Sequence, residues 1–86
     1  MPAAYVYILR CSDGSLYTGW TVDLDKRIVA HNAGTASRYT RSRLPVSLFA
    51  SIALDDRSAA RREEVRVKQL SRAEKLELAA SWPAPI

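Results

Sequence analysis

No stretch of this 86-residue chain approaches the ~20 consecutive apolar residues that a membrane-spanning helix requires. Nothing near its start reads as a secretory leader either, because the apolar run Val6–Leu9 is short and interrupted by Tyr7. Cysteine is nearly absent. The one thiol, Cys11, has no mate for an internal disulfide, and no Cys/His cluster offers zinc spacing. Internal repeats, low-complexity tracts and linkers are missing as well, so residues 1–86 read as one domain with one small core. These absences predict a reduced, cytoplasmic protein. An ordinary globular composition, 48% hydrophobic and 26% charged, argues against disorder.

What the chain does have is positive charge. Thirteen Lys and Arg oppose nine Asp and Glu, for a net charge of +4, and ten of the thirteen are arginine. The guanidinium fork matches phosphate oxygens, so a nucleic acid is the natural partner; a GC-rich genome would raise the arginine count equally well. Placement adds information. Residues 1–25 carry Arg10 against three aspartates, whereas 26–43 carry Lys26, Arg27, Arg38, Arg41 and Arg43 with no acid. Segregation of this kind is expected where one surface meets a polyanion.

Local patterns give an α+β order. Ala4–Cys11 is rich in aromatic and β-branched residues and reads as a strand, Ser12-Asp13-Gly14 as a turn, and Leu16–Thr21 as the returning strand. Asp23 caps a helix through His31, with Leu24 and Ile28 as its apolar pair and Gly34 as its stop. Thr35–Arg43 reads as a basic loop and Val46–Ile52 as a third strand entered through Pro45. Asp55 or Asp56 caps a helix over Arg57–Leu70, and the capping box Ser71-Arg72-Ala73-Glu74 opens another to about Ala80. The order β-β-α-β-α-α predicts a small three-stranded antiparallel sheet flanked by helices.

Four features could carry chemistry. A three-residue hairpin loop with Gly14 left-handed puts Leu9 opposite Tyr17 and Tyr7 opposite Gly19, so both tyrosines share one face; a four-residue loop would split them. Aromatics also favour strands for no chemical reason. Arg27 and His31 lie four apart on one helix face, suited to phosphate and proton exchange, although most such pairs are solvated surface. Glu64 falls inside the apolar spacing Ala60–Glu64–Val67, where a carboxylate needs a partner or a metal; Glu63 is a near-tie, and a salt bridge to Lys68 would also satisfy it. The segment Ser37–Arg43 interleaves Tyr39 with Arg38, Arg41 and Arg43, a composition suited to phosphate contact and base stacking, or simply to a soluble loop.

Together these residues resemble the GIY-YIG endonuclease superfamily, specifically its small stand-alone bacterial members, relatives of the nuclease domain of excision-repair incision subunits. The half-motifs are Tyr5-Val6-Tyr7 and Tyr17-Thr18-Gly19; Asp23-Leu24 with Arg27 and His31 follows, then the glutamate helix Arg62–Leu70. The resemblance spans residues 4 to 75. It implies a phosphodiesterase using one Mg²⁺ or Mn²⁺, acting on DNA rather than RNA, in repair or turnover. By the same resemblance Tyr17 is the general base or orients the attacking water, and Tyr7 supports water and phosphate. Arg27 stabilises the developing charge with His31 assisting, and Glu64 holds the metal. Such chemistry suits the bond, since an anionic phosphodiester calls for a Lewis acid, a cation and a proton acceptor. Three positions depart from the pattern. Tyr5 stands for the first glycine, Trp20 stands where the incision subunits carry lysine, and no asparagine follows the glutamate. Arg38, Tyr39, Arg41 and Arg43 are the candidate nucleic-acid contacts. Target choice then rests on the module's own surface, a homodimer or a protein partner. The competing reading is a catalytically weak nucleic-acid- or partner-binding module on the same fold.

Overall fold

The computed structural model describes residues 3–83. Strands β1 (Ala4–Arg10) and β2 (Leu16–Thr21) form a hairpin, helices α1 (Leu24–Asn32) and α2 (Arg38–Arg41) follow, and β3 (Ser47–Leu54), α3 (Arg57–Lys68) and α4 (Arg72–Ser81) complete the order. The sheet is antiparallel with β1 central, between β2 and β3. The expected α+β class and sheet are therefore present, with one addition. The basic segment after Gly34 is not all loop: Ser37 caps a single turn, α2, its hydroxyl accepting from the Tyr39 N–H. Four residues are too few to show a helical period, so composition pointed to a loop.

The hairpin register follows from its turn. Gly14 takes φ 82°, a left-handed conformation that favours glycine, and the Cys11 N–H donates to the Ser15 carbonyl at 2.9 Å. This three-residue loop pairs Leu9 with Tyr17 and Tyr7 with Gly19. On one sheet face Val6, Ile8 and Ala50 pack with Ala60 and Val67 of α3, and Leu78 and Ala79 of α4 join them. On the other, Tyr7, Leu9, Cys11 and Val46 pack with Leu24 and Ile28 of α1. A register shift in β3 lets Leu48 face the α1 layer although Ala50, two residues on, faces α3.

The capping signals locate the helices. Asp23, Asp56 and Ser71 each accept from a first-turn backbone N–H, and Glu74 closes the capping box on Ser71. No helix among the described residues is long and apolar enough to cross a membrane.

Candidate active site

Four of the five residues expected to carry the chemistry line one cleft. Tyr7 and Tyr17 come from the hairpin, Arg27 from α1 and Glu64 from α3, joined by Gly19, Trp20, Thr21, Val22 and Arg57. Gly19 is required by Tyr7, because a Cβ at 19 would lie 2.6 Å from the Tyr7 Cζ. The phenol thus occupies the space that a side chain on the facing strand would fill.

His31, the fifth, lies behind this lining. It is 1% exposed, its Nε2 2.8 Å from the Tyr7 hydroxyl and its Nδ1 2.8 Å from Thr40 Oγ1. Hydrogen logic orients the chain. A threonine hydroxyl has one proton, and Thr40 donates it to the Ser37 carbonyl at 3.4 Å. On that contact we assign the tautomer in which His31 Nδ1 donates to Thr40 and Nε2 accepts the Tyr7 proton. Burial, then the Arg27 charge, lowers the His31 pKa, which keeps the imidazole neutral and able to accept. Burial, then the neighbouring Tyr17 phenol, pushes Tyr7 up to about 12, with Glu64 adding and Arg27 opposing. Tyr7 is a neutral phenol whose proton points away from the cleft and whose lone pairs face it.

Tyr17 is held from above. The Tyr39 ring stacks on it at 5.8 Å with 26° between planes, and the Arg43 guanidinium covers Tyr39 at 3.9 Å. Arg43 in turn bonds the Asp13 carboxylate at 3.1 Å and the Tyr39 carbonyl at 2.9 Å. Of the basic segment, then, Arg38 and Arg41 are exposed, while Arg43 is half-buried and engaged by Asp13 and Tyr39, and the partly exposed Tyr39 ring stands against Tyr17.

Glu63 and Glu64 point to different places. Glu63 pairs with Arg66 and lies by Leu54 and Ala59, whereas Glu64 enters the tyrosine cleft with Lys68 Nζ at 3.6 Å. That ammonium also lies 5.7 Å from the Tyr17 ring centroid. A cation therefore stands near Tyr17 even though position 20 is tryptophan. Sequence reasoning missed Thr40, Arg57 and this second role of Lys68, since each depends on tertiary placement. Arg57 alone left a trace, as a cation in the first turn of a helix, where the dipole disfavours it.

Comparison with known proteins shows the family. The family model of the GIY-YIG catalytic domain matches residues 3–77. The chain belongs to the GIY-YIG family. A UPF0213 protein of Halobacterium salinarum is 51% identical over 71 residues, covering 83% of this chain and 92% of that one. A UPF0213 protein of Syntrophus aciditrophicus is 48% identical over 84 residues, 96% and 97% of the two chains. The solution NMR structure of a UPF0213 protein from Bacillus halodurans, 48% identical, aligns with a TM-score of 0.58 over 90% of this chain and 82% of that one. An NMR structure from E. faecalis, 32% identical, gives 0.59 over 93% and 90%. Membership in the GIY-YIG family brings a nuclease-type domain and points to a nucleic-acid substrate.

Proposed function

We propose that this GIY-YIG protein is a cytoplasmic, divalent-metal-dependent endonuclease that hydrolyses phosphodiester bonds of DNA, serving repair or turnover. The observation that carries this reading is the meeting of two phenols, a guanidinium and a carboxylate in one cleft. Glu64 suits a metal. Mg²⁺ is commonly bound through one or two carboxylates with water and substrate phosphate completing the shell, and Glu64 is a hard oxygen donor on the cleft wall. Mn²⁺ would take the same donor. When bound, the metal would supply Lewis-acid stabilisation of phosphoryl charge.

The residues themselves do the rest. Tyr17 orients the attacking water or takes its proton as general base, with the Lys68 ammonium 5.7 Å from its ring centroid. Tyr7 gives its own proton to His31 and so offers lone pairs to that water and steadies it against the phosphate. Arg27 bonds the phosphate oxygens as negative charge grows on them. Water oxygen bonds to phosphorus, the bond to the leaving sugar oxygen breaks, and that oxygen takes a proton from solvent. Exposed Arg38 and Arg41 meet backbone phosphates beside the cleft, the exposed edge of the Tyr39 ring meets a base, and Arg43 covers that ring and holds it in place.

The competing reading, a binding module with little activity, draws on Trp20 and on the Glu64–Lys68 pair, which gives the carboxylate an ammonium partner. Incubating DNA and RNA panels with Mg²⁺ or Mn²⁺ decides between them. Cleavage of DNA that disappears in Glu64→Ala supports the nuclease. Binding without cleavage in either metal overturns it and selects the module.

A further inference from the structure

Helix α3 breaks a rule of helix electrostatics. Its first turn holds Arg57 and no acidic residue, although the positive end of the helix dipole repels cations, and Arg61 and Arg62 add two more cations in the next turn. Pairing does not compensate. Arg66 meets Glu63 and Lys68 meets Glu64, but among the described residues Arg57, Arg61 and Arg62 have no carboxylate within ion-pair distance. All three are exposed. Local rules broken without local compensation are expected where a surface serves a ligand.

Position says which ligand. Residues 57, 61, 64 and 68 recur at spacings of four, three and four and so share one edge of α3. Two of them, Arg57 and Glu64, line the tyrosine cleft. Arg61 lies between them on that edge and lines a groove on the outer face with Ser58, Arg62 and Val65. That groove therefore adjoins the cleft through Arg61. Its floor includes Val65, 55% exposed among the arginines, an apolar contact for a sugar or base edge.

Resting on the nuclease reading above, we infer that a nucleic-acid strand leaving the cleft runs over the outer face of α3, its successive phosphates held by Arg57, Arg61 and Arg62. The strand then lies across the cleft from the Arg38 and Arg41 side to the α3 side, with the bond to be cut between two basic banks. The charge complementarity is with a polyanion whose charges repeat along a line, as those of a nucleic acid do.

Salt dependence tests this directly. Each phosphate contact contributes a slope of about 0.9 in log affinity against log salt for duplex DNA, and about 0.7 for a single strand. The probes are a short DNA duplex and a single strand of the same length, titrated without added metal so that binding is read apart from cleavage. Arg61→Ala combined with Arg62→Ala should lower the slope by about 1.4 to 1.8 on whichever probe uses this face. The affinity lost to the double change should then shrink roughly tenfold between 50 and 200 mM salt. Arg61→Lys with Arg62→Lys should keep the slope, and Arg10→Ala, an exposed arginine off this face, should leave it unmoved. Alanine at exposed helical positions favours the helix, and circular dichroism would register any loss of fold. An unchanged slope in the alanine pair while wild type binds DNA overturns the α3 path and leaves the nuclease reading standing. Wild-type protein that binds neither probe at low salt overturns both.

Discussion

Thr40 gives its one hydroxyl proton to the Ser37 carbonyl, and the consequence travels through His31 to Tyr7. In Thr40→Val the methyl replaces the hydroxyl, Nδ1 loses its acceptor in a buried place, and the imidazole is free to put its proton on Nε2. Tyr7 would then have to turn its own proton toward the cleft. Cleavage should fall by an order of magnitude or more, stability by about 1–3 kcal/mol, and Thr40→Ser should restore both. The readout that a merely structural role would not move is ¹⁵N NMR of His31, which should show Nδ1–H in wild type and not in the valine variant. Acid adds a second check. The folded His31 pKa lies below its ordinary value of about 6.5, so the unfolded chain takes up a proton first. The His31 contribution is whole above that value and is lost as pH falls through the folded pKa, so Tm should decline on acidification from neutral pH. Gly19→Ala attacks the same phenol from the facing strand, since the new Cβ overlaps the Tyr7 ring. It should cost about 1–3 kcal/mol by overpacking and abolish most cleavage, measured by melting and by turnover.

Among the elements, the hairpin and α3 were the most legible and α2 the least. Gly14 in a three-residue loop dictates the pairing of Leu9 with Tyr17, so one local conformation decided that both phenols share a face. Helix α3 announced itself by an aspartate cap at 55 or 56, which the fold places at Asp56, and by its Ala60–Val67 stripe. The stripe also separated the two glutamates only weakly, because Glu63 and Glu64 flank the boundary between packed and open faces; the sheet edge settles which enters the cleft. The α2 turn could not be seen, because its identity lies in what it touches: Thr40 beneath, Tyr39 against Tyr17, Arg43 on Asp13. For α3 the expected outcome is a sharp asymmetry. Glu64→Ala should lower cleavage on the order of a thousandfold or more while DNA affinity holds or rises, since a negative charge leaves a basic surface. Glu63→Ala, which frees Arg66 on the far side of the helix, should leave cleavage within a few-fold of wild type. Equal losses in both, measured on the same substrate, would remove the distinction.

At the scale of the whole molecule, the candidate site is assembled from opposite sides of one thin sheet. The phenols, His31 and Arg27 belong to the hairpin and the α1–α2 layer, whereas Glu64, Arg57 and Lys68 belong to α3, which packs on the other face through Ala60 and Val67. The two halves meet only because α3 lies close enough to the sheet for Glu64 to reach past β2. Ala60, 0% exposed, presents only a methyl where the helix packs against Val6, Ile8 and Ala50 of the sheet. Ala60→Leu should therefore push α3 outward at a cost of about 1–3 kcal/mol. Glu64 would be carried away from Tyr7 and Tyr17, while the Tyr7–His31–Thr40 chain on the opposite face stays as it is. The expected result is a lowered Tm and a cleavage rate reduced at least tenfold, beside an unaltered ¹⁵N signature of His31. Val67→Ala supplies the contrast, because a cavity lets α3 settle toward the sheet: similar destabilisation, but far less lost activity. If the two variants lost activity in proportion to their stability alone, the spacing of α3 would have no bearing on the site.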